Sequence, residues 1–258
     1  MKKFSTLVLF AVASLMSTQA LALDTTELLD PGVVEVAPMI ALTNIHDGKP
    51  GFASEVAFGY GVADFMTLQG IFSAATEEGL AGAGFGFTLE AVFTPLDTEM
   101  FDIDVVVDFS YDSGAYVVAP SFEFNLDSDD DMSSWGAYLT LGLPITSASV
   151  VDEKDKSKSE IKSDVSLELG IGFYVSFVTD QQLFVEGGFA LENLAENLGE
   201  REITGGYVAL GYNATLFENF ELTSEFRVDI PNKDYDPNDP TFTIALGGVF
   251  DIPTRQSM

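Results

Sequence analysis

Apolar and polar residues alternate with a period of two along most of the chain beyond residue 32. In 164–178, Val, Leu, Ile and Phe occupy every second position, and mainly Ser, Glu, Gly and Tyr lie between them. The segments 102–111 and 219–230 show the same alternation, with acidic residues on the polar side. Because successive side chains of a β-strand point to opposite faces, this pattern predicts strands with one apolar and one polar face.

Twelve segments carry this pattern, and most of them are nine to fifteen residues long. Strands of soluble sheets usually have about 5–6 residues, whereas a tilted strand needs about 9–11 residues to cross a membrane. An even number of strands is also what single-chain outer-membrane barrels have. The approximate ranges are 33–45, 52–60, 65–74, 82–93, 102–111, 115–126, 135–147, 164–178, 182–191, 204–216, 219–230 and 241–251.

The apolar faces of these segments carry no charged residue. A charge there would be costly in lipid, so its absence favours a membrane-spanning barrel over a β-sandwich that buries the same faces. Tyr60, Tyr111, Tyr116 and Trp135 lie near the ends of apolar faces, as an aromatic girdle at a membrane surface requires. The sequence therefore predicts an all-β fold, a transmembrane antiparallel up-and-down β-barrel of about twelve strands.

The connections between the predicted strands differ in length on the two sides of this barrel. We expect the tight turns on the periplasmic side and the long polar loops outside, where most of the basic residues also lie. Lipid phosphates and lipopolysaccharide would attract those basic residues, and ordinary solvated loops explain them equally well. The exceptions are 127–134, a longer connection on the periplasmic side, and 112–114, a short external one. The tight turns are 61–64, 179–181 and 217–218, and the long loops are 148–163, 192–203 and 231–240.

The first 22 residues have the features of a secretory signal peptide. Lys2 and Lys3 precede an apolar stretch at 7–16, and Ala20-Leu21-Ala22 supplies a small-x-small cleavage pattern. We therefore expect residues 1–22 to be removed and residues 23–258 to form a single barrel domain. An exported barrel of this kind belongs in the outer membrane of a Gram-negative bacterium.

The composition excludes several kinds of metal site, nucleophile and partner. The chain has 41 acidic and 11 basic residues, a formal net charge of −30, yet 47% of its residues are hydrophobic. That charge disfavours nucleic acid as a partner. The absence of Cys excludes thiolate metal sites and a cysteine nucleophile, and the presence of one His excludes a multi-His metal centre. The sequence predicts no cofactor.

The polar faces of the predicted strands place many carboxylates in the barrel interior. Rings of acidic side chains favour cations, so we expect a passive channel for small cationic or neutral solutes. The alternative is a filled, non-conducting barrel that serves a structural or adhesive role through its external loops. The lumen residues are Glu35, Glu55, Glu90, Asp102, Asp104, Asp108, Glu123, Glu168, Glu186, Glu221, Glu225, Arg227 and Asp229.

Arg227 is the one clear cation of this set, between Glu225 and Asp229 on the same strand face. Neighbours on one face are about 7 Å apart, so an ion-pair ladder with a structural role is favoured over a role in selectivity.

Two further motifs suggest other chemistry only weakly. Asp127, Asp129 and Asp131 have the spacing of a calcium loop, but Met132 stands where the loop needs Gly, which favours a solvated acidic turn. His46 is followed by Asp47, which leaves a barrel lipid hydrolase as a second alternative. The chain has no GxSxG nucleophile motif, so no catalytic residue is assigned.

The hairpins of the chain resemble those of Gram-negative outer-membrane barrels. The units 60–70, 172–189 and 210–230 join long alternating strands by tight turns, as in outer-membrane transporters that include a set associated with phenol degradation. The resemblance implies insertion by the barrel-assembly machinery. The chain departs from the pattern at its end, because such barrels usually finish on an aromatic residue and here Phe250 is followed by DIPTRQSM.

Overall fold

The computed structural model of the chain describes residues 28–43, 51–76, 83–98, 100–112, 115–130, 133–151, 159–178, 181–191, 203–231 and 240–253. Almost all of these residues lie in β-strands. The strands are β1 (Val33–Thr43), β2 (Gly51–Ala63), β3 (Met66–Thr76), β4 (Ala83–Thr98), β5 (Phe101–Asp112), β6 (Ala115–Asp130), β7 (Ser133–Gly142), β8 (Ile145–Val151), β9 (Ser159–Val165), β10 (Leu167–Val178), β11 (Gln181–Leu191), β12 (Ile203–Phe217), β13 (Phe220–Pro231) and β14 (Thr241–Pro253).

The strands form one closed antiparallel barrel in up-and-down order. Each strand from β1 to β7 pairs with the next, β7 pairs with β10, and β10 to β14 continue in sequence. The barrel closes where β14 pairs with β1, from Val33 opposite Pro253 to Thr43 opposite Thr243. The wall thus contains twelve strands, which confirms the predicted fold class and strand count.

The remaining two strands, β8 and β9, extend the wall beyond the barrel. β8 follows β7 after Leu143 and Pro144, and β9 precedes β10 with a break at Ser166. The two strands pair from Ile145 opposite Val165 to Val151 opposite Ser159, and β8 also pairs with the start of β6. The prediction of a loop over 148–163 is therefore wrong at both ends, since Val150, Val151 and Ile161 there continue the strand ladder.

The predicted connection at 127–134 is also mostly strand. β6 continues to Asp130 and β7 begins at Ser133, with Asp129 opposite Ser134. Backbone hydrogen bonds between two paired strands do not need apolar side chains. This polar hairpin therefore continues beyond the part of the wall whose outer face is apolar. The connections on this side of the barrel are thus tight, and we call this side the turn end. The opposite side is the loop end.

The two faces of the wall have opposite polarity. Large apolar side chains such as Phe58, Phe72 and Leu210 are exposed on the outer face, while carboxylates are buried on the inner face. Tyr111 and Trp135 are exposed, as the aromatic girdle requires. An apolar exterior around a polar interior is the arrangement of a membrane-spanning barrel. Among the described residues, no helix is long and apolar enough to cross a membrane.

Residues 28–32 form a short segment, the N-terminal strap, that lies against the inner wall at the turn end. Gly32 has φ 84°, a left-handed conformation that glycine adopts without strain, and its N–H donates to the carbonyl of Gly61 at 2.9 Å. The N–H of Leu29 donates to Oγ1 of Thr67 at 2.9 Å. A Cβ on Gly59 would lie 2.8 Å from Leu29. The strap therefore depends on the close approach that glycine allows.

Candidate functional site: the lumen

The structure places the predicted lumen residues on the inner face. Fully buried members of the set are Glu35, Glu55, Glu90, Asp104, Asp108, Glu168, Glu186, Glu225 and Arg227. Partly buried members are Asp102, Glu123, Glu221 and Asp229. Alternation alone thus assigned these side chains to the correct face, but their partners differ from one part of the wall to another.

Glu186 is the centre of a hydrogen-bonded group on one side of the lumen. The hydroxyl of Tyr138 donates to its Oε2 at 2.6 Å, and the hydroxyl of Tyr207 donates to its Oε1. The guanidinium of Arg227 lies 4.0 Å from the ring centroid of Tyr207, and its Nε donates to Asp229 Oδ1 at 2.8 Å. We call these five residues the glutamate–tyrosine network.

Arg227 stabilises the network through one ion pair and one cation–π contact. Its side chain is buried, with 3% of the residue exposed, and a buried charge requires a partner. The ion pair with Asp229 supplies one, and the cation–π contact with Tyr207 adds a second favourable interaction. The predicted ion-pair ladder is thus present toward Asp229.

A glycine beneath each tyrosine ring makes these long contacts possible. Tyr138 on β7 and Glu186 on β11 both pair with Gly172 on the intervening strand β10. The ring of Tyr138 occupies the place that a Cβ on Gly172 would take. The ring therefore lies flat against the wall, and its hydroxyl passes over β10 to reach the carboxylate.

The same arrangement occurs in the opposite direction, from β10 across β7 to β6. Tyr174 on β10 and Asp127 on β6 both pair with Gly136 on β7. The ring of Tyr174 covers Gly136, and its hydroxyl donates to Asp127 Oδ1. Strands β7 and β10 thus each offer a glycine to the other's tyrosine, an arrangement that we call the reciprocal clasp.

A third aromatic ring lies over a glycine without a hydroxyl to donate. Phe184 on β11 and Glu225 on β13 both pair with Gly211 on β12, and the Phe184 ring covers that glycine. Glu225 Oε2 has no hydrogen-bond partner. The geometry that lets a tyrosine donate to a carboxylate at the two other positions leaves this oxygen of Glu225 without a donor.

The opposite wall contains a row of polar side chains with unpartnered atoms. Gln69, Glu90 and Asp108 face one another across β3, β4 and β5, and they are 3%, 7% and 8% exposed. Both amide atoms of Gln69, Oε1 of Glu90 and Oδ1 of Asp108 have no hydrogen-bond partner. We call these three residues the acid row. Its ends adjoin Gly59 and Ala119, whose side chains are minimal.

A cavity of about 300 Å³ lies at the turn end of the lumen. Here neutral groups hold the carboxylates: Asn125 Nδ2 donates to Asp102 at 2.7 Å and to Asp104 at 2.9 Å, and Thr94 Oγ1 donates to Asp104. The cavity brings together acids from three strands. It is lined by Leu28, Thr94, Asp97, Asp102, Asp104, Glu123, Asn125, Asp127, Ala137, Tyr138, Tyr174, Gln182 and Phe184.

Several predicted features lie outside the described residues. These are the signal peptide at 1–22, His46 with Asp47, and Asp131 of the calcium candidate. Asp127 of that candidate is held by Tyr174. In the described part of the chain, no group of three or more His, Cys, Asp or Glu residues is arranged to hold a metal ion.

Sequence reasoning missed the neutral residues among the lumen acids. Asn125, Tyr138 and Tyr207 donate hydrogen bonds to them, and Gln69 lies beside Glu90 without a partner. A signal for one of them is present in the sequence. Strand β7 carries Gly136-x-Tyr138 and strand β10 carries Gly172-x-Tyr174, so each places a glycine and a tyrosine on one face. Antiparallel pairing of two such strands sets each ring over the other's glycine.

Comparison with known proteins supports the fold. No family model and no curated protein sequence matches the chain. A solved outer membrane channel from Pseudomonas putida F1 is 13% identical, with a TM-score of 0.61 over 88% of this chain and 97% of that one. The NanC porin is 8% identical, with a TM-score of 0.59 over 85% of this chain and 100% of that one.

A third structure, the KdgM porin in complex with disordered oligogalacturonate, is 11% identical. Its TM-score is 0.53 over 84% of this chain and 99% of that chain. At these identities the similarity concerns the fold, so the class defined here is a β-barrel with the architecture of outer-membrane channels.

Proposed function

We propose that the chain is an outer-membrane channel through which small cationic or neutral solutes diffuse passively. The observation that carries this proposal is the charge of the inner wall. Within the described strands the basic residues are Arg227 and Lys162, and Lys162 belongs to β9 beyond the barrel. Many carboxylates therefore face the lumen with a single guanidinium among them, and an acidic tube of low dielectric concentrates cations.

The proposed transport has no catalytic step. Lumen carboxylates attract a cation and replace part of its hydration shell, and the concentration gradient drives the net flow. The KdgM porin complex contains oligogalacturonate, which is a polyanion. The acidic lumen here would repel such a solute, so we do not extend that ligand to this chain. Export by the peptide at 1–22 and insertion into the outer membrane are part of the same proposal.

Single-channel recording in planar bilayers under a KCl gradient tests the proposal. We expect discrete conductance steps with a reversal potential on the cation-selective side. The double variant Glu55→Gln with Glu225→Gln removes two buried lumen acids, and we expect it to weaken that selectivity. These positions are better than Asp229, because neutralising Asp229 would also release the guanidinium of Arg227. A folded, heat-modifiable barrel that conducts no current would refute the channel.

The hairpin of β8 and β9 favours a structural or adhesive role as the second candidate. It projects beyond the closed barrel, and Ile161 on it is exposed. A barrel that is silent in bilayers and loses a binding partner when this hairpin is shortened would have this role.

A further inference from the structure

We propose that the acid row of Gln69, Glu90 and Asp108 is a binding station for a primary ammonium group, where amine-bearing solutes pause as they cross the lumen. This inference rests on the proposed channel function and names the class of solute that the channel would recognise.

The three side chains of the row combine burial with unpartnered oxygens. They are buried on the inner face, and their oxygens Gln69 Oε1, Glu90 Oε1 and Asp108 Oδ1 have no hydrogen-bond partner. Leaving a buried acceptor unsatisfied costs about 1–3 kcal/mol, and more for a charged group. A ligand that donates to these atoms would recover that free energy.

The row is also compact. The three residues occupy directly paired positions on consecutive strands, and adjacent strands are about 4.8 Å apart. The carboxyl groups of Glu90 and Asp108 are within hydrogen-bonding reach of each other. The row therefore offers three oxygen acceptors close together, two of which belong to acids.

An ammonium group matches this set. A primary ammonium has three N–H donors and a positive charge, which corresponds to three acceptors with an excess of negative charge. Because neither amide atom of Gln69 is engaged, the amide can turn its oxygen toward the ligand. A bare divalent ion fits less well, because Ca²⁺ takes about six to eight oxygen ligands and Mg²⁺ needs an octahedral set.

The neighbours of the row do not supply a competing cation. Gly59 and Ala119 adjoin its two ends. Arg227 lies on β13, on the far side of the barrel, where it is bound to Asp229. A solute amine thus has no side-chain ammonium or guanidinium of the described wall to displace at this position.

The experiment compares two monovalent cations in single-channel recordings of the full protein. Ethylammonium has N–H donors, whereas tetramethylammonium has the same charge and none. We expect ethylammonium to interrupt the K⁺ current with dwell times on the order of tenfold longer, which corresponds to about 1.4 kcal/mol. Equal dwell times in a cation-selective channel would overturn the station and leave the proposed channel function standing.

Two matched double variants separate specific binding from general charge. Glu90→Gln with Asp108→Asn and Glu55→Gln with Glu225→Gln each remove two buried lumen acids. We expect both to weaken cation selectivity, but only the first to shorten the ethylammonium dwell to that of tetramethylammonium. Equal loss of dwell time in both variants would overturn the station.

Two further measurements cover the remaining outcomes. Gln69→Leu changes no charge, so a shorter dwell in that variant reports the lost amide oxygen, and an unchanged dwell would remove Gln69 from the station.

If the barrel conducts no current, the proposed function fails, and titration of the detergent-solubilised protein with ethylammonium decides the station separately. Saturable binding that tetramethylammonium does not show would support it, and no binding would overturn it.

Discussion

The two sides of the lumen differ in the partners that they provide for buried carboxylates. In the glutamate–tyrosine network, Glu186 receives two phenolic hydrogen bonds and Asp229 an arginine. In the acid row, Glu90 and Asp108 retain unpartnered oxygens. Strands β4 and β12 of the two groups are six strands apart in either direction around the barrel. The comparison suggests that one wall stabilises the barrel and the other is kept available for solutes.

The largest expected effect comes from removing the cation of the network. Arg227→Met leaves Asp229 without its ion-pair partner, and losing one member of a buried pair costs about 3–5 kcal/mol. Since Asp229 is partly exposed, we expect about 3 kcal/mol, measured as a lower urea midpoint in detergent. Lys162→Met removes the same charge from β9 and should cost less than about 0.5 kcal/mol. Equal midpoints for the two variants would contradict the stabilising role of the network.

The second prediction is a difference in sign between the two walls. Glu186→Leu leaves the hydroxyls of Tyr138 and Tyr207 without their acceptor, so we expect a loss of about 2 kcal/mol. Glu90→Leu removes a buried carboxyl group whose Oε1 has no partner and which repels the neighbouring carboxyl group of Asp108, so we expect no loss or a gain of about 1 kcal/mol. Urea unfolding of both variants checks the pair. If both substitutions destabilise to the same extent, the distinction between the walls does not hold.

The third prediction adds a hydrogen bond to Glu225, an acid outside the glutamate–tyrosine network. Phe184→Tyr places a hydroxyl beyond Gly211, where Glu225 Oε2 lacks a donor. By analogy with Tyr138 over Gly172, we expect a gain of about 1–2 kcal/mol from a hydrogen bond to a carboxylate. A double-mutant cycle with Glu225→Leu measures the coupling between the two residues. A gain that persists in the Glu225→Leu background would mean that the hydroxyl bonds elsewhere.

The smallest predicted effect concerns the N-terminal strap beside the acid row. A Cβ in Gly61→Ala would collide with the carbonyl of Asp30, so we expect the strap to leave the wall at a cost of about 1 kcal/mol. Amide hydrogen exchange at Leu29 and Gly32 should accelerate, because both N–H groups lose their acceptors. Gly70→Ala is the control, since its added Cβ meets only Leu89 at 4.0 Å. Unchanged exchange in Gly61→Ala would mean that the strap tolerates the methyl group.

The strand count and the inward-facing residues followed from the sequence because side-chain alternation has a strict period of two. Glu90, Asp108 and Glu186 were assigned to the interior in this way, and they are buried there. Alternation gives the face of a residue but not its neighbour on the next strand, since that depends on register. The contact of Tyr138 with Glu186 crosses β10, which is separated in sequence from β7 by the hairpin of β8 and β9. No local pattern records such a contact.

Strand ends were harder to predict than strand faces. The polar run from Asp127 to Asp130 has the composition of a turn, yet it continues β6 because Ser133 and Ser134 pair with it. Pro144 interrupts the long strand that begins at Ser133, but β8 resumes directly after it. In both places the partner strand decides the structure, and local propensity is overridden by the ladder.

The reciprocal clasp also has a consequence for the accuracy of barrel assembly. A slip of one residue between β7 and β10 would put apolar side chains in the lumen, and the membrane itself would oppose it. A slip of two residues keeps every side chain on its proper face, so polarity cannot detect the error. In one direction that slip sets Tyr138 opposite Tyr174, and in the other it sets Tyr174 opposite Ser134. Ring and glycine fit at both positions in only one register, so the clasp rejects the mispairing that hydrophobicity would accept.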